Sequence, residues 1–461
     1  IVGLADLAVQ EARERVRSAV RAAGYDVPNA RVVVNLAPGP VRKHGTGFDL
    51  PIALGMLAAT RQLPERVATE CAAVGELSLD GSVRPVTGML AYALAAKEAG
   101  LPLVGPADAQ HALSLDGLDY RPLRTLSQLR GGLPAAQRPE VMSQSPWDSG
   151  LDFSDVAGHQ FAKRALMIAA AGGHNVLMVG PPGSGKTMLA RRVPTILPPL
   201  LEAERVQSAL IHSVAGLDET PSLAGVRPFR APHHSASIAG LVGGGAVPRP
   251  GEASLAHNGV LFLDEMPEFG PAALQALRQP LEDGSITLVR AEGRLRFPAR
   301  FALIGAANPC PCGFFGDDRR RCTCPQPVVA RYQSRIGGPL MDRIDMVLDI
   351  SRVDPGLILD HDSSEDSATM RDRVAEVRER AYARNGYRCA DLSGAALLRS
   401  CMLSPVARST LEQIGRSQSL SGRGVTRLLR VARTIADLED SHAVTAEHIA
   451  EAVGFRAKSE R

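Results

Sequence analysis

The chain has 461 residues, 45% of them hydrophobic and 22% charged, and a formal net charge of +3. That is the profile of a globular protein with room for roughly two to four domains, and its balanced charge neither demands nor excludes a nucleic-acid partner, because a basic patch can hide in a neutral total. No apolar run reaches the ~18 residues of a membrane helix, no basic and apolar leader follows Ile1, and seven cysteines are too few for a secreted disulfide framework of this size, so no membrane partner and a cytoplasmic location are expected.

Residues 1–130 alternate helix and strand signals. "DLAVQEARERVRSAVRAAG" puts Val9, Ala12, Val16 and Val20 on one helical face, and Gly24 ends it. "RVVVNLAP" reads as a buried strand and "DLPIALGMLAA" as an apolar helix. "CAAVGELSLDGSVRPVTG" reads as two strands about an Asp80-Gly81 turn, and "MLAYALAAKEAG" as a helix with a glycine stop. Residues 131–152 are rich in Gly, Pro and Ser and read as a linker. A second βα pattern fills 153–355. From 356 to 461 the strands stop, and helical periodicity recurs near 366–384, 404–415, 424–439 and 445–453, the pattern of a small all-α domain.

The second segment carries the chemistry. In "HNVLMVGPPGSGKT" an apolar strand leads into Gly180, Pro181, Pro182, Gly183, Ser184, Gly185, Lys186 and Thr187, and a helical pattern leads out. Backbone N–H groups of such a loop wrap the phosphates of ATP at a helix N-terminus. Lys186 would reach the β- and γ-phosphates, and the Thr187 hydroxyl would ligate Mg²⁺. "NGVLFLDEMPEF" supplies the acidic partner: Asp264 to hold Mg²⁺ through water, and Glu265 to polarise the attacking water. "FALIGAANP" is a third apolar strand. Its terminal Asn308 could orient the water near the γ-phosphate, or simply form an Asn-Pro turn.

Directly after Asn308, "NPCPCGFFGDDRRRCTCP" holds Cys310, Cys312, Cys322 and Cys324 as two C-x-C pairs. Four thiolates make a closed tetrahedral Zn²⁺ site. The alternatives are two disulfides, disfavoured in a reducing compartment, or four free thiols. Arg319, Arg320 and Arg321 would lower the thiol pKa values.

These stretches, with "DFSDVAGHQFAKRALMIAAAGG", "FRAPHHSASIAGLVGGG" and "GPLMDRIDMVLDI", resemble the magnesium-chelatase-like branch of the AAA+ ATPases, and within it the bacterial ComM/YifB family, over essentially the whole chain. The resemblance implies a multidomain α/β protein: a Lon-protease-like (ribosomal S5 domain 2-like) α+β domain, an AAA+ P-loop core and a C-terminal all-α lid. It implies a homo-hexameric motor acting on single-stranded or branched DNA, with recombination proteins as possible partners, in homologous recombination or natural transformation. By the resemblance Asn308 is sensor 1, Arg343 is an arginine finger acting on a neighbouring subunit's ATP, and Arg423 is the sensor-2 arginine, with Arg427 one turn away as the other candidate. "RPFRAPHHSASIAGLVGGGAVPRP" resembles the branch's helix-2 insert; His233 and His234 in it could be read as metal ligands, but with no acidic or thiol partner evident nearby a loop that contacts nucleic acid or a neighbour is expected. "GSITLVRAEGRLRFPARF" reads as a hairpin with a turn at Glu292-Gly293, and in this family it lines the pore; Arg290, Arg294 and Arg296 could grip DNA phosphates there. A Lon-type site needs a serine and a lysine. "KHGTGFDLPIALG" has no serine, the lysine position falls near Leu90, and Lys97 lies two turns on, so a non-proteolytic first domain is expected. The rival readings are a magnesium-chelatase-type motor, an ATP-dependent protease and a remodelling chaperone without DNA activity.

Overall fold

The structure, a computed structural model, describes all residues except 40–42, 110–114, 116, 137–149, 246, 291–292, 355, 357–364 and 457–461. Most of the expected linker, the 355/356 boundary and Glu292 of the hairpin turn therefore lie outside the described residues. The chain forms two compact units.

The first unit comprises residues 1–144, 205–224 and 290–293. Its first helix, Leu7–Ala22, starts where the Asp6 carboxylate accepts the Val9 N–H at 2.8 Å, and it buries Val9, Ala12, Val16, Ala19 and Val20. Helix Asp49–Ala59 packs its leucines with Leu77, Val104 and Leu123 in one core. Glu76–Leu77 and Val83–Arg84 pair antiparallel across the Asp80-Gly81 turn. Ala72–Ala73, Leu103–Pro106 and Tyr120–Leu123 form a three-stranded parallel sheet. "RVVVNLAP" is not a buried strand: only Asn35 bridges, to Val2, and Val33 is 62% exposed. β-branched residues fit a strand only where a neighbour supplies a ladder, and here the neighbour supplies one bridge. Leu90 is fully buried in helix Met89–Glu98, and Lys97 is exposed. The Gly88 and Leu90 N–H groups donate to the Ser213 carbonyl (3.0 Å) and hydroxyl (3.4 Å), so residues 205–224, inside the expected 153–355 segment, cluster here.

The second unit comprises residues 145–204, 225–289 and 294–461. Its centre is a five-stranded sheet: β1 Val176–Val179, β2 Phe229–Arg230, β3 Val260–Leu263, β4 Ala302–Ala307 and β5 Met346–Asp349. The spatial order is β5-β1-β4-β3-β2, all parallel. Side chains alternate between faces, as the pleat dictates. Val176 and Met178 join a core with Phe262, Leu348 and the C-terminal helices, through Val374, Val377, Leu428, Ile435 and Ile449. Leu177, Leu261, Leu263 and Leu303 face a second core with Phe269, Leu274, Ile336 and Leu340. The C-terminal helices, Ser367–Asn385, Gly394–Cys401, Pro405–Ser417, Gly422–Leu438 and Ala446–Gly454, thus share the sheet's core. An amphipathic stripe must bury its apolar face somewhere, and here it does so on the helix Gln160–Gly172 side of the sheet. No described helix is long and apolar enough to cross a membrane.

Candidate active site

In an open parallel sheet, ligands bind beyond the carboxyl ends of the strands, where neighbouring connections diverge. β1 is flanked by β5 and β4. The P-loop leaves β1, Asp264 and Glu265 leave β3, and Asn308 leaves β4, so the topology alone brings them to one edge. The loop is tight against the sheet. A Cβ on Gly180 would lie 2.1 Å from the Ile350 carbonyl oxygen, so only glycine fits, and the Gly180 N–H donates to Ala307 at 3.1 Å.

Helix Lys186–Arg192 starts at the end of this loop. Lys186 Nζ donates to the carbonyls of Gly180 (2.6 Å) and Pro181 (3.0 Å) and to Asn308 Oδ1 (3.3 Å). Burial pulls its ammonium below the ordinary lysine range, and Asp264 and Glu265 oppose that pull. Thr187 Oγ1 donates to Asp264 Oδ2 at 2.8 Å. Hydroxyl and carboxylate are the oxygen donors a hard cation takes, so this pair fits Mg²⁺. Pro182, Ser184, Lys186, Thr187, Asp264, Glu265 and Asn308 line one cavity of about 530 Å³.

Glu265 sits in the left-handed region at φ 49°, an uncommon place for a side-chain-bearing residue. Its Oε2 lies 3.7 Å from Nδ1 of His234, whose ring is 4.0 Å from that of His233. His159, also in the left-handed region, flanks the loop near Gly185, and burial, then Lys163, lowers its pKa.

No arginine lines the phosphate cavity among the described residues. Arg343, Arg423, Arg427 and Arg430 instead line a separate cavity of about 740 Å³ with Glu282 and Asp342. Arg343 donates to the Glu282 carboxylate. Burial lowers the Arg343 pKa, and the crowding of Arg423, Arg278, Arg427 and Arg430 adds to it, a field that an incoming anion would relieve. Arg423 is mostly exposed and lies 3.4 Å from Asp342. Arg427 is committed: it donates to the carbonyls of Met341 (2.8 Å) and Ile344 (2.7 Å).

Strands Ser285–Arg290 and Gly293–Pro298 pair as a hairpin. Arg294 is exposed, and Arg296 Nε donates to Ser285 Oγ at 3.0 Å; the side chain of Arg290 lies outside the described residues.

The four cysteines meet. Their sulfurs all lie within 4.8 Å of one another, and none is in a disulfide. Backbone N–H groups of Thr323 and Phe314 hold the Cys312 thiol well below the ordinary thiol range. These N–H groups, rather than the arginine run, are the largest causes of that shift, and the run does not lower the thiols generally. Against lowering N–H bonds from Cys324 and Cys312 respectively, burial and the neighbouring thiols push Cys322 up to about 12 and raise Cys324. Arg320 stacks over Phe314 at 4.2 Å, and Arg319 lies 3.7 Å from Asp354.

Sequence reading singled out His234 but not its pairing with Glu265, and it missed Glu282. The contacts His234–Glu265 and Arg343–Glu282 arise only through the fold, across 31 and 61 residues respectively.

Residues 152–357 match the family described as magnesium chelatase, subunit ChlI; residues 1–108 match subunit ChlI of Mg-chelatase, and 364–456 the ChlI C-terminal family. The chain is 43% identical to the uncharacterized protein YifB of Salmonella typhimurium, over 99% of this chain and 91% of that one. It is likewise 43% identical to the competence protein ComM of Haemophilus influenzae, with 99% and 91% covered. Lon protease 2 of Bacillus subtilis is 31% identical over 37% of this chain and 35% of its own length. With three family matches in series and relatives of this identity over almost its full length, the chain belongs to the magnesium-chelatase-like ComM/YifB family of AAA+ proteins.

Proposed function

We propose that this chain is the subunit of an ATP-hydrolysing, homo-hexameric motor that acts on single-stranded or branched DNA in the cytoplasm, as a branch-migration or helicase factor in recombination or natural transformation. The observation that carries the reading is the split of the site. Phosphate-binding groups line one cavity and the arginines Arg343 and Arg423 line another. Two copies in a ring would bring the arginine cavity of one to the phosphate cavity of the next, where positive charge meets the charge building on the γ-phosphoryl group.

In that arrangement the P-loop N–H groups and Lys186 bind and orient the phosphates. Thr187 and Asp264 hold Mg²⁺, which when bound offsets phosphate charge. Glu265 takes the proton of the attacking water, and Asn308 fixes that water's position. Arg423 is better placed than Arg427 for sensor 2, because the Arg427 guanidinium already serves two carbonyls. The four thiols, gathered within 4.8 Å of one another with backbone N–H donors at Cys312, Cys322 and Cys324, fit Zn²⁺ as a structural ion. The first unit is a Lon-protease-like domain kept for assembly or substrate contact.

The test is ATP hydrolysis with and without single-stranded and branched DNA. Stimulation supports the motor; its absence favours a chelatase-type motor or a remodelling chaperone. Replacing Arg290, Arg294 and Arg296 together should weaken DNA binding and flatten its salt dependence by about 2 on a log–log plot for single strands, with basal hydrolysis kept. Equal loss of both would mean a folding defect.

A further inference from the structure

The four-cysteine loop does more than close on itself: it abuts the P-loop. Residues 308–325 contain no helix or strand between Ala307 and Gln326. A loop of this length without regular structure needs some other restraint, and the cysteines are placed to give one. The sulfur of Cys310 lies 3.3 Å from that of Cys312 and 3.7 Å from that of Cys322, and the Cys312–Cys322 separation is 3.6 Å. Tetrahedral zinc with Zn–S of about 2.3 Å requires sulfurs roughly 3.8 Å apart. The Cys324 N–H donates to Cys322 Sγ at 3.4 Å, and Cys312 receives N–H groups of its own, which is how a folded chain supports thiolate charge.

Both ends of the first turn of this loop reach the nucleotide cavity. Asn308, two residues before Cys310, accepts from Lys186. Gly313 closes the turn, its N–H donating to the Cys310 carbonyl at 2.9 Å. There φ is +84°, and a Cβ would lie 2.5 Å from Cδ and 2.7 Å from Cγ of Pro182. Pro182 is a wall of the phosphate cavity. Position 313 must therefore be glycine for both conformation and space, and the turn is seated directly on the P-loop.

We propose that this loop is a metal-dependent clamp on the P-loop: zinc held by Cys310, Cys312, Cys322 and Cys324 fixes Gly313 against Pro182 and Asn308 beside Lys186, so metal occupancy sets nucleotide affinity. The clamp rests on the zinc reading above, but it adds a consequence that zinc alone does not entail. A staple elsewhere on the surface would hold its own loop and leave the phosphate cavity unchanged.

The experiment uses the full chain, purified in reductant without chelator. It reads zinc by elemental analysis and the dissociation constant of a fluorescent Mg²⁺-ADP analogue by titration. Wild type should carry about one zinc per chain. C310S/C312S should lose it and bind the nucleotide about tenfold more weakly, equivalent to about 1.4 kcal/mol, with an unchanged circular dichroism spectrum. Gly313→Ala should keep its zinc and still weaken nucleotide binding, because the methyl displaces Pro182. Cys71→Ser, a thiol of the first unit, should change neither. Metal-free wild type overturns the zinc reading and the clamp with it. Zinc present in wild type and absent from C310S/C312S, with nucleotide affinity equal in all variants, overturns the clamp and leaves the zinc reading standing. If C310S/C312S does not fold, Gly313→Ala decides: unaltered affinity in that variant refutes the clamp.

Discussion

Nδ1 of His234 lies 3.7 Å from Oε2 of Glu265, so the carboxylate proposed to activate water is already in ion-pair range of an imidazole that follows β2. At that distance the imidazole stands where it can contest the carboxylate oxygen that the water would use. Glu265→Gln should leave nucleotide affinity near wild type and lower turnover by about 10² or more, the usual worth of a general base. His234→Ala should raise basal turnover by up to about fivefold, the scale of one exposed ion pair, with the KM for ATP little changed. Steady-state kinetics on both variants checks the pair. Unchanged kcat in Glu265→Gln would remove Glu265 from its role.

Arg343 is held by Glu282 in the isolated subunit and lines a cavity apart from the phosphates. Arg343→Ala alone should lower turnover about 10³-fold, the low end for an arginine finger. Lys186→Ala alone should abolish nucleotide binding at its own site. Mixtures of the two should recover part of the activity, since each defect then falls on a different side of a shared interface. Recovery should peak at an intermediate ratio, measured by ATP hydrolysis after co-assembly. No recovery at any ratio, with both variants assembled, argues for action within one subunit.

The two lid arginines should separate by readout. Arg423 is mostly exposed and pairs with the half-exposed Asp342, so Arg423→Ala should cost turnover and leave the thermal midpoint within about 1 °C, as for a surface change. Arg427 joins the helix Gly422–Leu438 to the turn at Met341–Ile344 through two carbonyls. Charged hydrogen bonds of this kind are each worth about 1.5–3 kcal/mol. Arg427→Ala should therefore lower stability by about 2 kcal/mol or more, seen in denaturant unfolding.

What could be read from the sequence was what is written locally. The P-loop and Asp264-Glu265 are contiguous motifs after apolar strands, the helices at 7–22 and 422–438 each carry their own periodicity, and the helix at 49–59 shows as a mostly apolar run. Leu103–Pro106 and Tyr120–Leu123 were not legible, because four-residue strands show no alternation that distinguishes them from a loop. "RVVVNLAP" misled for the converse reason: it has strand composition, but the pairing that would make it a strand is reduced to one bridge. The C-terminal helices announced an apolar face without saying what it covers, and it covers the sheet. The contacts His234–Glu265 and Arg343–Glu282 lacked any signal, because a contact made by folding leaves no spacing in the chain.

One buried histidine makes stability depend on pH. Burial, with Arg300 adding to it, pushes His257 down to about 4, against about 6.5 in an unfolded chain. Its Nδ1 accepts the Arg300 backbone N–H at 3.0 Å, a bond a protonated ring cannot make there. Between those two values the unfolded chain binds a proton that the folded chain refuses, so stability rises with pH across the window. The contribution is complete above pH 6.5 and is lost as pH falls toward 4. At pH 5 it should have cost wild type about 2 kcal/mol relative to pH 7. His257→Asn retains an acceptor for Arg300 without a titrating ring. Its stability relative to wild type, by denaturant unfolding at both pH values, should therefore improve by about 2 kcal/mol at pH 5. Carboxylates that titrate in the same range are common to both proteins and cancel in that difference. A gap between wild type and variant that stays constant from pH 7 to pH 5 would mean His257 is not the group responsible.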